Sequence, residues 1–328
     1  MAGIEIFSSS ELFEEPRKEP NRSVVALPDS FIVADIETTG FLVGYCEIIE
    51  IAAVKVQNGQ IIDTFETLVK PEEEIPLDIQ KLTGITDECV KDAPSCDVVI
   101  KSFLDFISDY YLIGHRFSFD MSFLKYAAEH VQRKLDNQFI DTYRLFRKLH
   151  PELSHHRLKD MIAFYQVENE SSHRALSDTL ATLHCYNKLK QDVLSKYSCY
   201  ELFIKDFQKK YSKSEKKYYW KSLDARDIKA ETLIFDETHP VFGKEFVFTG
   251  TLTGMSRAEA MQKVVNLGGK VANSITKKTN YLVVGEADIQ KIQENGPTSK
   301  MQKCQLLRSK GLDIFEMSEA TFFDMIAD

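Results

Sequence analysis

Residues 31–40 read FIVADIETTG. The run Phe31-Ile32-Val33-Ala34 is short, apolar and closed by an acid, which suits a buried strand. Successive side chains of a strand point to opposite faces, so Asp35 and Glu37 project together. Two adjacent carboxylates repel each other, and a cation between them removes the repulsion. Gly40 lets the chain turn sharply and lets a ligand approach the backbone. Taken alone, the pattern reads equally as two solvated acids at a strand edge.

The flanking sequence puts this strand in a layered domain. EIIEIAAVKV (47–56), the turn Asn58-Gly59 and IIDTFETLV (61–69) read as a β-hairpin, because Asn-Gly suits a type I′ turn. Residues 76–84, 97–110 and 119–133 have helical spacing. YLIGH (111–115) and QFIDT (138–142) read as short strands. From His156 to Lys196 the pattern is helical, with a polar break near 168–172. Strands interleaved with helices predict an α/β domain over residues 29–197.

The whole chain has 328 residues, 43% of them hydrophobic and 28% charged, ordinary usage for two globular domains. No stretch approaches the ~20 apolar residues of a membrane span, and the N-terminus has no secretion-signal pattern. The six cysteines form no CxxC pair and read as free thiols of a reducing compartment, predicting a cytoplasmic protein. The net charge is −9, with the acidic excess in the first 204 residues. That distribution argues against a simple basic glove for nucleic acid. It leaves room for a nuclease, whose metal site needs carboxylates of its own.

Two later motifs bear on the same chemistry. GHRFSFD (114–120) follows an apolar strand and sets Asp120 in the first turn of a helix, where an acid also serves as a cap. HRALSD (173–178) places His173 at or before a helix start, from which it leans toward the cavity that Asp178 lines. Singly, each has an ordinary structural reading.

In this order, the three motifs resemble the DEDDh exonuclease family, the group that includes the proofreading subunit of bacterial replicative polymerases. The segment KPEEEIPLDIQKLTGIT (70–86) and the run HHRLKDMIAFY (155–165) extend the resemblance. It implies an RNase H-like fold with a mixed sheet. It implies Asp35, Glu37, Asp120 and Asp178 as ligands of two Mg²⁺ or Mn²⁺ ions and His173 as general base. Phosphodiester hydrolysis needs an activated water, a neutralised phosphate and a stabilised leaving oxygen, and a two-metal site provides them. The resemblance also implies contacts to the terminal nucleotide from Thr38 and Thr39. Phe41 and Phe119 read either as rings that stack on or wedge bases or, for at least one of them, as core packing, and His115 is an expected substrate contact. Arg116 stands where the family usually has Asn. His155 and His156 are read as surface residues.

The C-terminal part, 240–328, forms a second unit. KEFVFTG (244–250) and TNYLVVG (279–285) read as strands. SRAEAMQKVVNLGG (256–269) and SKMQKCQLLRSKG (299–311) read as helices stopping at glycine, and SEATFFDMI (318–326) as a helix opened by a Ser cap. This region resembles the BRCT domain, most nearly that of bacterial NAD-dependent DNA ligases, a small α/β fold with a parallel sheet. The resemblance implies a ligand that is a DNA end, a phosphopeptide or another BRCT module. Thr249, Gly250 and Lys300 match its anion site by position.

Residues 1–28 are polar and read as a mobile tail. Within it, Ser10-Glu11-Leu12-Phe13 has the Leu-Phe ending of peptides that dock on bacterial sliding clamps, without the Gln at their start. Residues 198–239 form a connector, whose stretch 205–221 interleaves seven Lys with Tyr211, Tyr218, Tyr219 and Trp220. That mixture suits single-stranded nucleic acid or a solvated helix packed on a domain. The expected function is a metal-dependent 3′→5′ exonuclease on single-stranded DNA or DNA 3′ ends. It would serve proofreading or repair near the nucleoid, with a DNA polymerase or sliding clamp as partner. The rivals are an RNA exonuclease of the same superfamily and a BRCT-led scaffold.

Overall fold

The computed structural model describes residues 23–153, 156–168, 173–197, 200–208, 225, 228–232, 235–237, 239–285, 292 and 296–327. The clamp-like tetrapeptide and most of the Lys/Tyr-rich stretch lie outside the described residues.

Strand β1 (Phe31–Thr38) is central in a five-stranded sheet of order β3-β2-β1-β4-β5. Its antiparallel partner β2 (Ile48–Gln57) continues into β3 (Gln60–Leu68) through the Asn58-Gly59 turn. Both turn residues have positive φ, 51° and 77°, as a type I′ turn requires. On the other side β4 (Tyr111–Gly114) and β5 (Phe139–Asp141) run parallel to β1. Three antiparallel strands followed by parallel ones make the mixed sheet of an RNase H-like fold.

The period-two alternation of β1 divides its side chains between two apolar layers. Ile32, Ala34 and Ile36 face α3 (Cys96–Ile107) and α4 (Ser118–His130), meeting Phe103, Leu104 and Leu124. Phe31 and Val33 face α5 (Thr142–Leu149), α6 (Leu158–Tyr165) and α7 (Ala175–Lys196), meeting Phe146 and Tyr186. The Phe31 and Tyr186 rings stack edge-on at 5.0 Å. Asp35 and Glu37 continue the Phe31–Val33 face, so the period that buries the strand also aims both acids toward α7. Between β3 and α3 lie α1 (Leu77–Thr83) and α2 (Asp87–Val90), and α8 (Tyr200–Gln208) follows α7.

Residues 23–28 depart from the expected mobile tail. Val24 N–H donates to the Phe139 carbonyl at 2.8 Å, and Ala26 is buried in the α5–α7 layer. The reason is the apolar run Val24-Val25-Ala26-Leu27, which covers the outer edge of the sheet. His156 also departs from expectation: it is buried, with Nε2 2.9 Å from the His150 carbonyl and its ring edge-on to Phe146. An aromatic neighbourhood and one backbone acceptor suffice to bury an imidazole. His155 lies outside the described residues.

The C-terminal unit is a four-stranded parallel sheet of order β7-β6-β8-β9, formed by β6 (Glu245–Thr249), β7 (Lys270–Ala272), β8 (Tyr281–Val284) and β9 (Phe315–Ser318). Helix α9 (Arg257–Asn266) begins at a capping box of Ser256 and Glu259, α10 (Ser299–Arg308) at Thr298, and α11 (Glu319–Ala327) closes the unit. Gly285 is required by close approach, because a Cβ there would overlap the Thr251 backbone. The two units touch: Leu42, from the loop after β1, is 1% exposed and belongs to the apolar cluster of Val247, Leu282, Met301 and Cys304. Among the described residues no helix is long and apolar enough to cross a membrane.

Candidate active site

The end of β1 opens into a cleft of about 420 Å³ whose lining includes Asp35, Glu37, Asp120, Asp178 and His173. All five residues expected from the motifs are therefore brought together. Asp35 and Glu37 arrive from β1. Asp120 arrives from the first turn of α4, where its Oδ1 accepts the Ile36 N–H at 3.0 Å. That bond ties the helix to the strand between the two acids. Asp178 arrives from the first turn of α7 and accepts the His173 N–H at 3.0 Å. His173 is exposed and has φ 63°, a left-handed turn that swings its ring back toward the acids. Ligand atoms of Glu37, His173 and Asp178 all lie within 4.8 Å of one another.

The electrostatics are those of concentrated negative charge. Burial, and then the charges of Asp120, Glu37, Asp178 and Glu50, hold the Asp35 carboxyl well above its usual range. Burial and the charges of Asp178 and Glu50 push Glu37 up to about 8, against the opposing pull of Arg174. Asp120 is raised by burial and by Glu37 and Asp141, although the Ile36 N–H works the other way. Such carboxylates ionise together only beside compensating charge. An all-oxygen donor set with one imidazole beside it fits a hard divalent cation, and the cluster is able to hold a metal.

Other expected residues divide into two groups. His115, Phe41 and Phe119 line the cleft. His115 is held by Nδ1 at 3.0 Å from Thr142 Oγ1, and burial pushes it down to about 3, so it stays uncharged at neutral pH. The Phe41 and Phe119 rings lie 5.9 Å apart. Thr38 and Thr39 are not brought to the cleft by their side chains. The Thr38 hydroxyl donates to the Gly40 carbonyl at 2.6 Å, and the Thr39 hydroxyl accepts the Glu47 N–H at 2.9 Å. Both hydroxyls hold the turn that ends β1, where the β1–β2 register shifts between Glu37 and Thr38.

Sequence reasoning missed Glu50, Arg174 and Asp141. Glu50 pairs with Glu37 across the β1–β2 ladder and forms an ion pair with Arg174 at 2.7 Å. Asp141 ends β5, and its Oδ1 accepts the N–H of both Arg116 and Tyr143 at 2.9 Å. The available signal was an acid inside an apolar strand (EIIEIAA) and another at a strand end (QFID). Arg116, with φ 58°, lays its guanidinium 4.4 Å from the Tyr143 ring at the cleft.

In the C-terminal unit, Gly250 has φ 74° and Lys300 Nζ donates to the Phe248 carbonyl at 2.7 Å. Arg257, not foreseen from the sequence, donates to the Gly250 carbonyl. Two cations thus meet at the end of β6, where burial and the Arg257 charge lower the Lys300 amine.

The exonuclease family (RNase_T) matches residues 32–186, the span that carries the sheet and the five site residues. Residues 32–186 are an exonuclease domain. The BRCA1 C Terminus (BRCT) domain matches residues 240–315, so a BRCT domain follows the exonuclease domain. The first region is 41% identical over 169 residues to the DNA polymerase III PolC-type of Bacillus cereus, covering 51% of this chain and 12% of that protein. Its counterpart in Halalkalibacterium halodurans is 40% identical over 188 residues, covering 57% and 13%. The chain thus spans about an eighth of the length of these relatives. Among solved structures, Exonuclease X in complex with 5′ overhanging duplex DNA has a TM-score of 0.42 and 24% identity, covering 54% of this chain and 98% of that one. E. coli Exonuclease I in complex with a dT13 oligonucleotide has a TM-score of 0.48 and 17% identity, covering 54% and 44%.

Proposed function

We propose that this exonuclease–BRCT chain is a metal-dependent 3′→5′ exonuclease that releases nucleoside 5′-monophosphates from single-stranded DNA or DNA 3′ ends. The observation that carries this reading is the meeting of Asp35, Glu37, Asp120, Asp178 and His173 in one cleft of an exonuclease domain. Asp35, Glu37, Asp120 and Asp178 would hold two Mg²⁺ or Mn²⁺ ions. Bound there, such ions neutralise the phosphate and favour departure of the leaving oxygen.

The chain's own residues do the rest. Exposed at the rim, His173 accepts the proton of the attacking water. Its backbone bond to Asp178 fixes it beside the acids. The Ile36–Asp120 bond keeps the α4 carboxylate from swinging away when charge is lost or gained. Arg116 offers a guanidinium to the phosphates on the cleft wall. His115, uncharged, offers a hydrogen bond without competing for cations.

Proofreading or repair fits the PolC-type relatives, and a DNA polymerase or sliding clamp is the matching partner in a bacterial cytoplasm close to the nucleoid. The BRCT domain would target the enzyme, with Thr249, Gly250 and Lys300 receiving the phosphate of a DNA end or phosphopeptide and Arg257 beside them. The test is hydrolysis of labelled DNA and RNA, single- and double-stranded, with Mg²⁺, Mn²⁺ or chelator. DNA degraded from its 3′ end with metal supports the reading. RNA degraded in preference moves it to the RNA branch of the superfamily, and no degradation of either overturns it.

A further inference from the structure

The cleft over the carboxylates is not built by the exonuclease domain alone. Its lining includes Tyr281, Phe315, Glu316, Met317, Thr321 and Met325, all from the BRCT unit. The contact is anchored rather than grazing. Phe41, four residues beyond Glu37, meets Phe315 edge-on with ring centroids 5.1 Å apart, and Leu42 beside it is fully buried in the BRCT apolar cluster. Phe315 in turn lies 6.3 Å from Tyr281, and Phe41 lies 5.9 Å from Phe119. Four aromatic rings from two domains therefore form one wall beside the acids.

The chemistry of that wall selects its ligand. The lining from the BRCT side holds no Lys or Arg, and its one acid, Glu316, is ion-paired with Arg308 at 2.7 Å, so this wall offers a phosphate no cation. The cations of the cleft, Arg116 and Arg144, stand on the exonuclease side. Aromatic and thioether surface suits the flat face of a nucleobase, which stacks without regard to sequence. A cleft of about 420 Å³ lies in the lower part of the range for small-ligand sites, about 300–1,000 Å³, which suits one nucleotide and not a duplex.

We propose that Phe315 and Tyr281 of the BRCT domain, with Phe41, seat the base of a single unpaired terminal nucleotide, so that the BRCT domain is part of the substrate site. The proposal rests on the exonuclease reading for what occupies the carboxylate end, and the test separates the two. Two esters share the leaving group: the p-nitrophenyl ester of thymidine 5′-monophosphate, and methyl p-nitrophenyl phosphate, which has no sugar or base. Their kcat/KM values are measured with Mn²⁺ for the full chain and for Phe315→Leu, which keeps apolar volume and loses the ring face. The ratio of the two values should fall by about 5- to 100-fold, the worth of one stacked base, chiefly through KM. An unchanged ratio overturns the base seat. Calorimetry with Ca²⁺ covers the case in which no ester is hydrolysed, an outcome that overturns the exonuclease reading instead. There the full chain should bind thymidine 5′-monophosphate more tightly than ribose 5-phosphate, and Phe315→Leu should narrow the gap. Equal affinity for the two, or a gap that Phe315→Leu leaves intact, overturns the base seat.

Discussion

Glu50, 1% exposed in β2, accepts from the Arg174 guanidinium at 2.7 Å from Nη2 and at 3.1 and 3.3 Å from Nε, which its two oxygens share, and from the Ala175 N–H at 2.8 Å. Since Glu50 faces Glu37 across the ladder, this pair fixes the first turn of α7, with His173 and Asp178, against the strand that carries the other acids. Arg174→Ala leaves a buried carboxylate under-compensated and should cost about 1–3 kcal/mol of stability. Nuclease turnover should fall with it, and Arg174→Lys should lie between, because an ammonium cannot copy the fork. Urea melts and initial rates decide this. A variant with the parent's midpoint and turnover contradicts the anchoring role.

The raised carboxylates make stability depend on pH in a defined direction. Glu37 has an ordinary value of 4.5 and a folded value of about 8, and Asp35 and Asp120 move the same way. The folded protein therefore binds more protons than the unfolded chain between those values, so metal-free stability falls as pH rises from about 4.5 to 8. A cation bound only by the folded state offsets that loss. Thermal melts with millimolar Mn²⁺ should show a larger rise in Tm at pH 8 than at pH 5.5. An equal rise at both, or none, speaks against a metal cluster.

Gly114 ends β4 where the chain turns into the helix that delivers Asp120. A Cβ at this position would overlap the Phe117 ring, which is fully buried in the α3–α4 layer. Gly114→Ala should cost about 1–3 kcal/mol by displacing that ring. It should also lower turnover more than Gly59→Ala, which is strained by its φ of 77° but meets nothing within 4 Å and lies in the β2–β3 turn, outside the cleft lining. Paired denaturation and rate measurements on the two variants check this.

At the C-terminal end of β6, Lys300 and Arg257 converge on the Phe248 and Gly250 carbonyls. Lys300 keeps further donors for an anion, since an ammonium carries three. Lys300→Met retains the stem and should weaken binding of 5′-phosphorylated DNA or phosphopeptide about tenfold at low salt, while binding of the unphosphorylated forms stays as it is. Fluorescence anisotropy at two salt concentrations measures it. Equal affinity of parent and variant for the phosphorylated ligand rules out the anion site.

The sequence disclosed those features governed by local periodicity. FIVADIE alternates, so the direction of Asp35 and Glu37 followed from the pleat, and Asn58-Gly59 disclosed its hairpin. The motifs also marked Asp120, Asp178 and His173. Features set by long-range packing were not legible. The Glu50–Arg174 pair joins residues 124 positions apart, and no local pattern announces it. Thr38 and Thr39 sat in the motif, but at the register shift beside Glu37 their hydroxyls bond to the backbone instead. Strands β7 and β9, KVA and FEMS, have three and four residues, too few for a period to stand out from the flanking sequence. The Phe41–Phe315 contact between the two domains is likewise tertiary.

The most direct measurement concerns Asp35, on which burial and four neighbouring carboxylates converge. A 5′-labelled single-stranded oligonucleotide is incubated with the full chain or with Asp35→Ala in Mn²⁺, and the products are resolved by length and by mass. The account predicts a ladder shortening from the 3′ end, release of nucleoside 5′-monophosphates, and loss of both with chelator or in Asp35→Ala. An Asp35→Ala variant that degrades the oligonucleotide at the parent's rate would contradict it.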